Sequence, residues 1–321
     1  MSNDAKPIRT IFMGTPDFAV PSFLALTADP RFQIVLAITQ SDKAAGRGQV
    51  IQETPIKQAA NSLSIPVIQP AKIKEAEEDI RKLAPELIIV VAYGKIIPKA
   101  ILDIPRHGCI NLHGSLLPQY RGASCLAAPI LNGDSQTGIT VMRMDEGMDT
   151  GPVICQEKIE LKGYETLGEL HERLSGLGAA TLPQAIIDYI EGKIIPQAQD
   201  ETLASYVKLT RKEDGLINWS EEARKIERQV RAYNPWPGAF SFLPDGKRFK
   251  ILAAQAKQEE EKTSIIGQLS IENGRVSVGC GQGKLIILQL QLESGKKLDA
   301  RQFAAGYARL DQQILASSSI G

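Results

Sequence analysis

Between residues 8 and 190 the chain alternates short, β-branched apolar runs with stretches of helical length. The runs fall at Ile8 to Met13, Phe32 to Ile38, Pro66 to Ile68, Leu87 to Val91, Cys109 to His113, Ile139 to Arg143 and Ile154 to Glu160. Each has the length and residue types of a buried strand, and the helical stretches between them predict βαβ units on a mostly parallel, Rossmann-like sheet. Thr54 followed by Pro55 reads as a helix cap with proline at the first helical position, and Ile56, Ala59, Ala60 and Leu63 then recur at helical spacing. A longer helix is predicted from Thr166 to Glu191, broken or offset near Gly176, Gly178 and Pro183, and it closes the first domain at residue 194.

Residues 195–207 are polar and read as a crossing linker. From 208 the texture changes: an amphipathic helix over Glu221 to Tyr233 precedes short strands punctuated by Pro244-Asp245-Gly246, Glu272-Asn273-Gly274 and the run from Gly279 to Gly283. That spacing predicts a small barrel, OB-like, in a C-terminal domain of residues 208–321. A chain of 321 residues is long enough for two cores.

Charge sharpens the division. Net charge is zero overall, but residues 208–321 hold 18 Lys and Arg against 13 Asp and Glu, leaving 19 against 24 in the first 207. A basic tail behind an acidic domain fits a polyanionic partner. The longest apolar run, Leu87 to Tyr93, is too short to cross a bilayer and the first ten residues are polar, so a cytoplasmic protein is expected. Cys109, Cys125, Cys155 and Cys280 are scattered without a CxxC pair and read as small buried apolar residues rather than a metal site or a disulfide framework.

Candidate chemistry concentrates in two places. Strand one ends in Gly14-Thr15-Pro16 without the second and third glycines of a dinucleotide fingerprint, which leaves a tight turn. The more informative stretch runs from Ile110 to Gly122. On a strand, Asn111 and His113 point to one face, and they stand at its carboxyl end before a glycine, where open α/β sheets build their sites. Downstream, Asp145, Glu146 and Asp149 share a loop with Gly147 and Gly151. A magnesium site, an exposed turn and a carboxylate that holds and charges the imidazole all remain open for this loop. Ser115 lacks the GxSxG elbow of serine hydrolases. Cys109 lies about 13 Å along the strand from His113, too far for a nucleophile and base pair.

On these residues the sequence resembles the formyltransferases that use formyltetrahydrofolate. Asn111, His113 and Asp149 fall on that family's catalytic trio, and Ser115-Leu116-Leu117-Pro118 matches its folate-contacting loop. The resemblance implies that the folate's pterin lies near Val91, Tyr93, Gly94 and Ile96. Three further segments resemble the branch that formylates methionyl initiator tRNA for translation initiation: Asp42 to Gly48, Ile217 to Ser220 and Arg231 to Ala239. Ser294 to Leu298 and Gln302-Phe303 resemble the end of that branch.

That resemblance implies 10-formyltetrahydrofolate as donor, tetrahydrofolate as product, no metal, tRNA contacts from Arg47 and Lys43, and a monomer. One departure stands beside the motif. Where the family runs on with proline and a glutamine-bearing helix, this chain has Ser124-Cys125-Leu126-Ala127-Ala128-Pro129. A formyltransferase acting on a small amine, and an RNA-binding protein with an inactive α/β domain, are the alternatives.

Overall fold

The computed structural model describes residues 6–45, 50–258 and 265–315. These divide into two compact units: residues through 125 with 136–160 and 171–208, and residues 126–135 and 161–170 with the described residues beyond 208. Segments 126–135 and 161–170 thus belong with the second unit although they precede the linker.

The first unit is built on a seven-stranded sheet. Its strands are β1 (Ile8–Gly14), β2 (Phe32–Ile38), the short β3 (Lys43–Ala45) and β4 (Val50–Gln52) hairpin outside the sheet, then β5 (Val67–Ile68), β6 (Leu87–Val91) and β7 (Cys109–His113). β8 (Gln136–Arg143) and β9 (Val153–Glu160) complete it in the spatial order β5-β2-β1-β6-β7-β8-β9. Pairing is parallel from β5 through β7, and the last two strands are antiparallel. The central strands are buried along their length, which is why they read as continuous apolar runs rather than alternating ones. From β1 the chain builds outward through β2 to β5 and then crosses to β6 on the other side. That reversal lies between β1 and β6, the point at which open α/β sheets present a crevice beyond their carboxyl ends.

Helices α1 (Val20–Ala28), α2 (Pro55–Ser62), α3 (Glu77–Leu83) and α4 (Lys99–Leu102) connect the parallel strands. α2 begins as its sequence demands: the Thr54 hydroxyl accepts from the Lys57 amide at 3.3 Å and Pro55 opens the first turn. After α5 (Ala128–Asn132), helix α6 (Leu167–Ile190) corrects the expectation of a break. It is one continuous helix of 24 residues with Pro183 inside it. Its apolar side chains Leu174, Leu182 and Ile186 are buried, and the Ser175 hydroxyl ties it to the Phe18 carbonyl at 2.8 Å. Tertiary packing therefore outweighs the hydrogen bond that proline removes. Gly178 is a packing device: a Cβ there would lie 2.4 Å from Cδ2 of Leu112 on β7.

The second unit carries α7 (Ala223–Ala232) and an antiparallel sheet of β10 (Ala239–Phe242), β11 (Arg248–Lys257), β12 (Leu269–Glu272), β13 (Arg275–Gly279), β14 (Lys284–Leu292) and β15 (Lys297–Asp299). Asn273-Gly274 makes the tight turn between β12 and β13, as its residue types require. Ile226 and Val230 of α7 and Phe303 of α8 (Ala300–Tyr307) are buried in one core with Phe249, Val276 and Ile287. The Trp219 indole donates to the Ser241 hydroxyl at 3.0 Å within that core. Among the described residues no helix is long and apolar enough to cross a membrane.

Candidate active site

β7 delivers the two side chains that its alternation promises. Asn111 is 8% and His113 6% exposed, and both stand at the end of the buried strand, opposite Met142 and Thr140 of β8. Among the described residues the Asn111 side-chain amide makes no hydrogen bond to protein. It is a donor available to a ligand.

The loop after β7 is held from beneath. The Thr140 hydroxyl donates to the Ser115 carbonyl at 2.6 Å and accepts from the Leu117 amide at 3.0 Å, while Gln156 donates to the Leu117 carbonyl at 2.7 Å. Ser115 is fully buried and its hydroxyl donates to the Gln119 carbonyl at 2.6 Å, so it shapes the loop. Leu117 is buried, and Leu116 and Pro118 are half-buried. Of the residues assigned to the folate, Val91 and Tyr93 are core residues, Gly94 is exposed, and Ile96 is 82% exposed. Burial pushes the Tyr93 phenol up to about 12, and among the described residues its hydroxyl has no hydrogen-bond partner.

The three carboxylates of the loop after β8 separate in role. Asp145 accepts from the Gly147 amide at 3.0 Å and the Thr150 hydroxyl at 2.7 Å, a self-contained turn. Exposed Glu146 pairs with Lys99 at 3.4 Å. Asp149 alone faces the imidazole, with Oδ2 3.6 Å from Nδ1 of His113, an ion-pair contact too long for a hydrogen bond. Its Oδ2 also accepts from the Gly122 amide at 2.8 Å. Gly122 has φ +110° and lies so close to the Val207 carbonyl that a Cβ would stand 2.4 Å from that oxygen. No other residue fits there.

The other ring nitrogen, Nε2 of His113, lies 3.1 Å from the Tyr120 carbonyl, a geometry that calls for a proton on that nitrogen. Burial works hardest against the charged imidazolium. The Cys125 side chain, the Asp149 carboxylate and the Tyr120 carbonyl together outweigh it and raise the His113 pKa from 6.5 to about 9. A buried, charged imidazole on the same face of β7 as the Asn111 amide sets a positive charge near a hydrogen-bond donor.

Sequence reasoning did not reach three of these partners. Tyr120 lies within the stretch from Ile110 to Gly122 and Cys125 in the departing segment just after it, but main-chain acceptors and a buried thiol carry no pattern. Gln199, described below, sits in the segment read as linker. Lys43 is exposed on β3, paired with β4. Arg47 lies outside the described residues.

Comparison with known proteins bears on this geometry. Residues 8–186 match the family described as formyl transferase and residues 210–308 its C-terminal domain. A methionyl-tRNA formyltransferase of Citrifermentans bemidjiense is 44% identical over 302 residues, 94% of each chain. One from Geobacter sulfurreducens is 43% identical over the same length and coverage. Among solved structures, an N-formyltransferase from Helicobacter canadensis with folinic acid and dTDP-3-aminofucose superposes with a TM-score of 0.68 at 20% identity, covering 91% of this chain and 100% of that one. The methionyl-tRNA formyltransferase of Clostridium thermocellum gives 0.56 at 20% identity, over 78% and 94%. These structural likenesses establish the fold, and the sequence matches establish the lineage: the chain belongs to the formyl transferase family, with its N-terminal and C-terminal domains both present.

Proposed function

We propose that this protein transfers the formyl group of 10-formyltetrahydrofolate to the free amino group of methionyl initiator tRNA. The observation that carries the reading is the convergence of Asn111, His113 and Asp149 at the carboxyl end of β7. Full-length identity to methionyl-tRNA formyltransferases supports the acceptor. The residues fit the donor: among the described residues the Asn111 amide has no hydrogen-bond partner, and exposed Ile96 offers apolar contact beyond the end of β6.

The folate supplies the formyl carbon. Asn111 donates a hydrogen bond to the formyl oxygen as charge develops on it, and charged His113 stabilises the same oxygen. One well-placed donor of this kind is worth about 3 to 4 kcal/mol. Asp149 keeps the imidazole charged and oriented and takes up, directly or through water, the proton that the attacking amine sheds; the bond between the formyl carbon and the folate nitrogen then breaks, and that nitrogen leaves as tetrahydrofolate carrying a proton in exchange. Residues 1–194 carry this chemistry, with Ser115 to Pro118 shaping the folate pocket. Residues 208–321 and the loop with Lys43 and Arg47 hold the tRNA through its phosphates, so binding weakens with salt.

The test is transfer of labelled formyl from 10-formyltetrahydrofolate to methionyl initiator tRNA, wild type against His113→Ala. Rapid labelling of the tRNA by wild type alone is the expected result. A wild type that binds folate and leaves the tRNA unlabelled would transfer the acceptor role to another amine.

A further inference from the structure

Asp149 has φ +55°, a left-handed backbone uncommon for a non-glycine residue, though Asp adopts it more readily than most. Its main chain is hydrogen-bonded from the segment read as a linker. Gln199 donates both protons of its side-chain amide to main-chain carbonyls of the catalytic loop, to Asp149 at 2.8 Å and to Gly151 at 2.7 Å. Its amide oxygen accepts twice from Arg121, from Nε at 3.2 Å and from a terminal nitrogen at 2.9 Å.

Arg121 is fully buried and spends its remaining donors on the two Glu201 oxygens, at 2.8 and 2.7 Å, and on the Tyr206 hydroxyl at 2.8 Å. With all five guanidinium protons used, the Gln199 oxygen must face Arg121 and its nitrogen must face the carbonyls. The same segment is bonded to the loop that holds the far side of His113. Arg121 donates its amide to the Ser205 carbonyl, Val207 donates to the Arg121 carbonyl, and Tyr120 donates to the Ser205 hydroxyl, each at 2.8 Å.

We propose that Gln199, oriented by Arg121, is a positioning residue that holds the Asp149 backbone in its left-handed conformation so that the carboxylate faces His113. Residues 197–207 are then a working wall of the active site. Arg121 acts on the reaction only through Gln199 and the loops it pins. The inference adds a residue to the formyl-transfer reading, and it rests on that reading for its kinetic consequence alone.

The experiment uses the full chain with Gln199→Glu and Gln199→Ala, each checked for folding by circular dichroism and thermal melting. Gln199→Glu keeps the volume and the acceptor for Arg121 but has no proton for the two carbonyls. The primary readout is the imidazole titration of His113 by NMR, tractable because the chain has 3 histidines. Loosening Asp149 should lower the His113 midpoint measurably, by up to about one pH unit. Alongside it, kcat for formyl transfer should fall by about tenfold or more while the folate KM stays within about twofold, the split for a residue acting in the transition state alone. An unmoved midpoint in folded Gln199→Glu would overturn the proposal, and so would a loss of kcat without a moved midpoint. If wild type itself transfers no formyl, the functional reading fails while the titration still decides the role of Gln199.

Discussion

Replacing Asp149 by asparagine keeps the side chain's volume and removes its charge, and the consequence should appear as a displaced pH profile. Charged His113 is sustained against its own burial, with Asp149 3.6 Å away among the groups that sustain it. At that separation and an effective dielectric of about 20, two unit charges attract by roughly 4.6 kcal/mol. Solvent at the carboxylate and the Gly122 amide on the same oxygen discount this to about a third. A loss of about 1.4 kcal/mol is one pKa unit, so the midpoint should fall from about 9 to about 8. At pH 8.5 the charged fraction of His113 then drops from about three quarters to about one quarter.

The assay is kcat/KM for formyl transfer from pH 6 to 10, in which the acidic limb belongs to the attacking amine and the alkaline limb to His113. The alkaline limb of the variant should move to lower pH. A limb that stays in place, with only the plateau reduced, would refute the argument that Asp149 maintains the imidazolium.

Asn111→Ala should lower kcat by about 10²- to 10³-fold with the fold intact, measured at saturating folate and tRNA. Two glycines of α6 should respond in opposite directions to alanine. Gly176 has nothing within 4 Å of a built Cβ, so Gly176→Ala should stabilise by about 0.5 to 1 kcal/mol, whereas Gly178→Ala meets Leu112 at 2.4 Å and should destabilise by about 1 to 3 kcal/mol in urea titrations. The raised pKa of His113 also links stability to pH: the contribution is fully present below the ordinary value of 6.5 and is lost as pH rises through about 9, on the order of 3 kcal/mol. His113→Gln should flatten the stability profile over that window; an equal slope in both proteins would assign it to another group.

What the sequence revealed follows from which interactions leave a local pattern. Strands β6 and β7 were legible because both faces are buried along their length, β1 and β2 because their apolar runs are buried over their later residues, and α2 because Thr54-Pro55 is a cap in itself. Asn111 and His113 could be read together because a strand's period of two puts them on one face. The continuity of α6 was not legible, since Pro183 and two glycines are local breakers and the burial of Leu174, Leu182 and Ile186 is a tertiary fact. Nor was the grouping of segments 126–135 and 161–170 with the second unit, where association crosses long spans of sequence. Arg121 stood in a recognised motif with no partner to name, because Gln199 is 78 positions away and one glutamine in a polar stretch looks like any other.

The placement of Asp149 shows why such distant contacts are needed. β8 runs antiparallel to β7, and its exit lies at the opposite end of β7 from His113: the Met144 amide donates to the Cys109 carbonyl at 2.8 Å. Four strand residues, about 13 Å, separate that point from the imidazole. A carboxylate attached to the strand itself could not reach; only a loop that doubles back over the sheet can carry it there. Such a loop has no ladder of its own, and at Asp149 it takes a left-handed backbone that would relax if unsupported. Its support comes from the Gly122 amide on the carboxylate and from the Gln199 amide on the backbone. Both depend on residues 199–207 lying against residues 118–122. The positive charge that His113 holds near Asn111 therefore depends on the connecting segment as well as on the strand that bears the histidine.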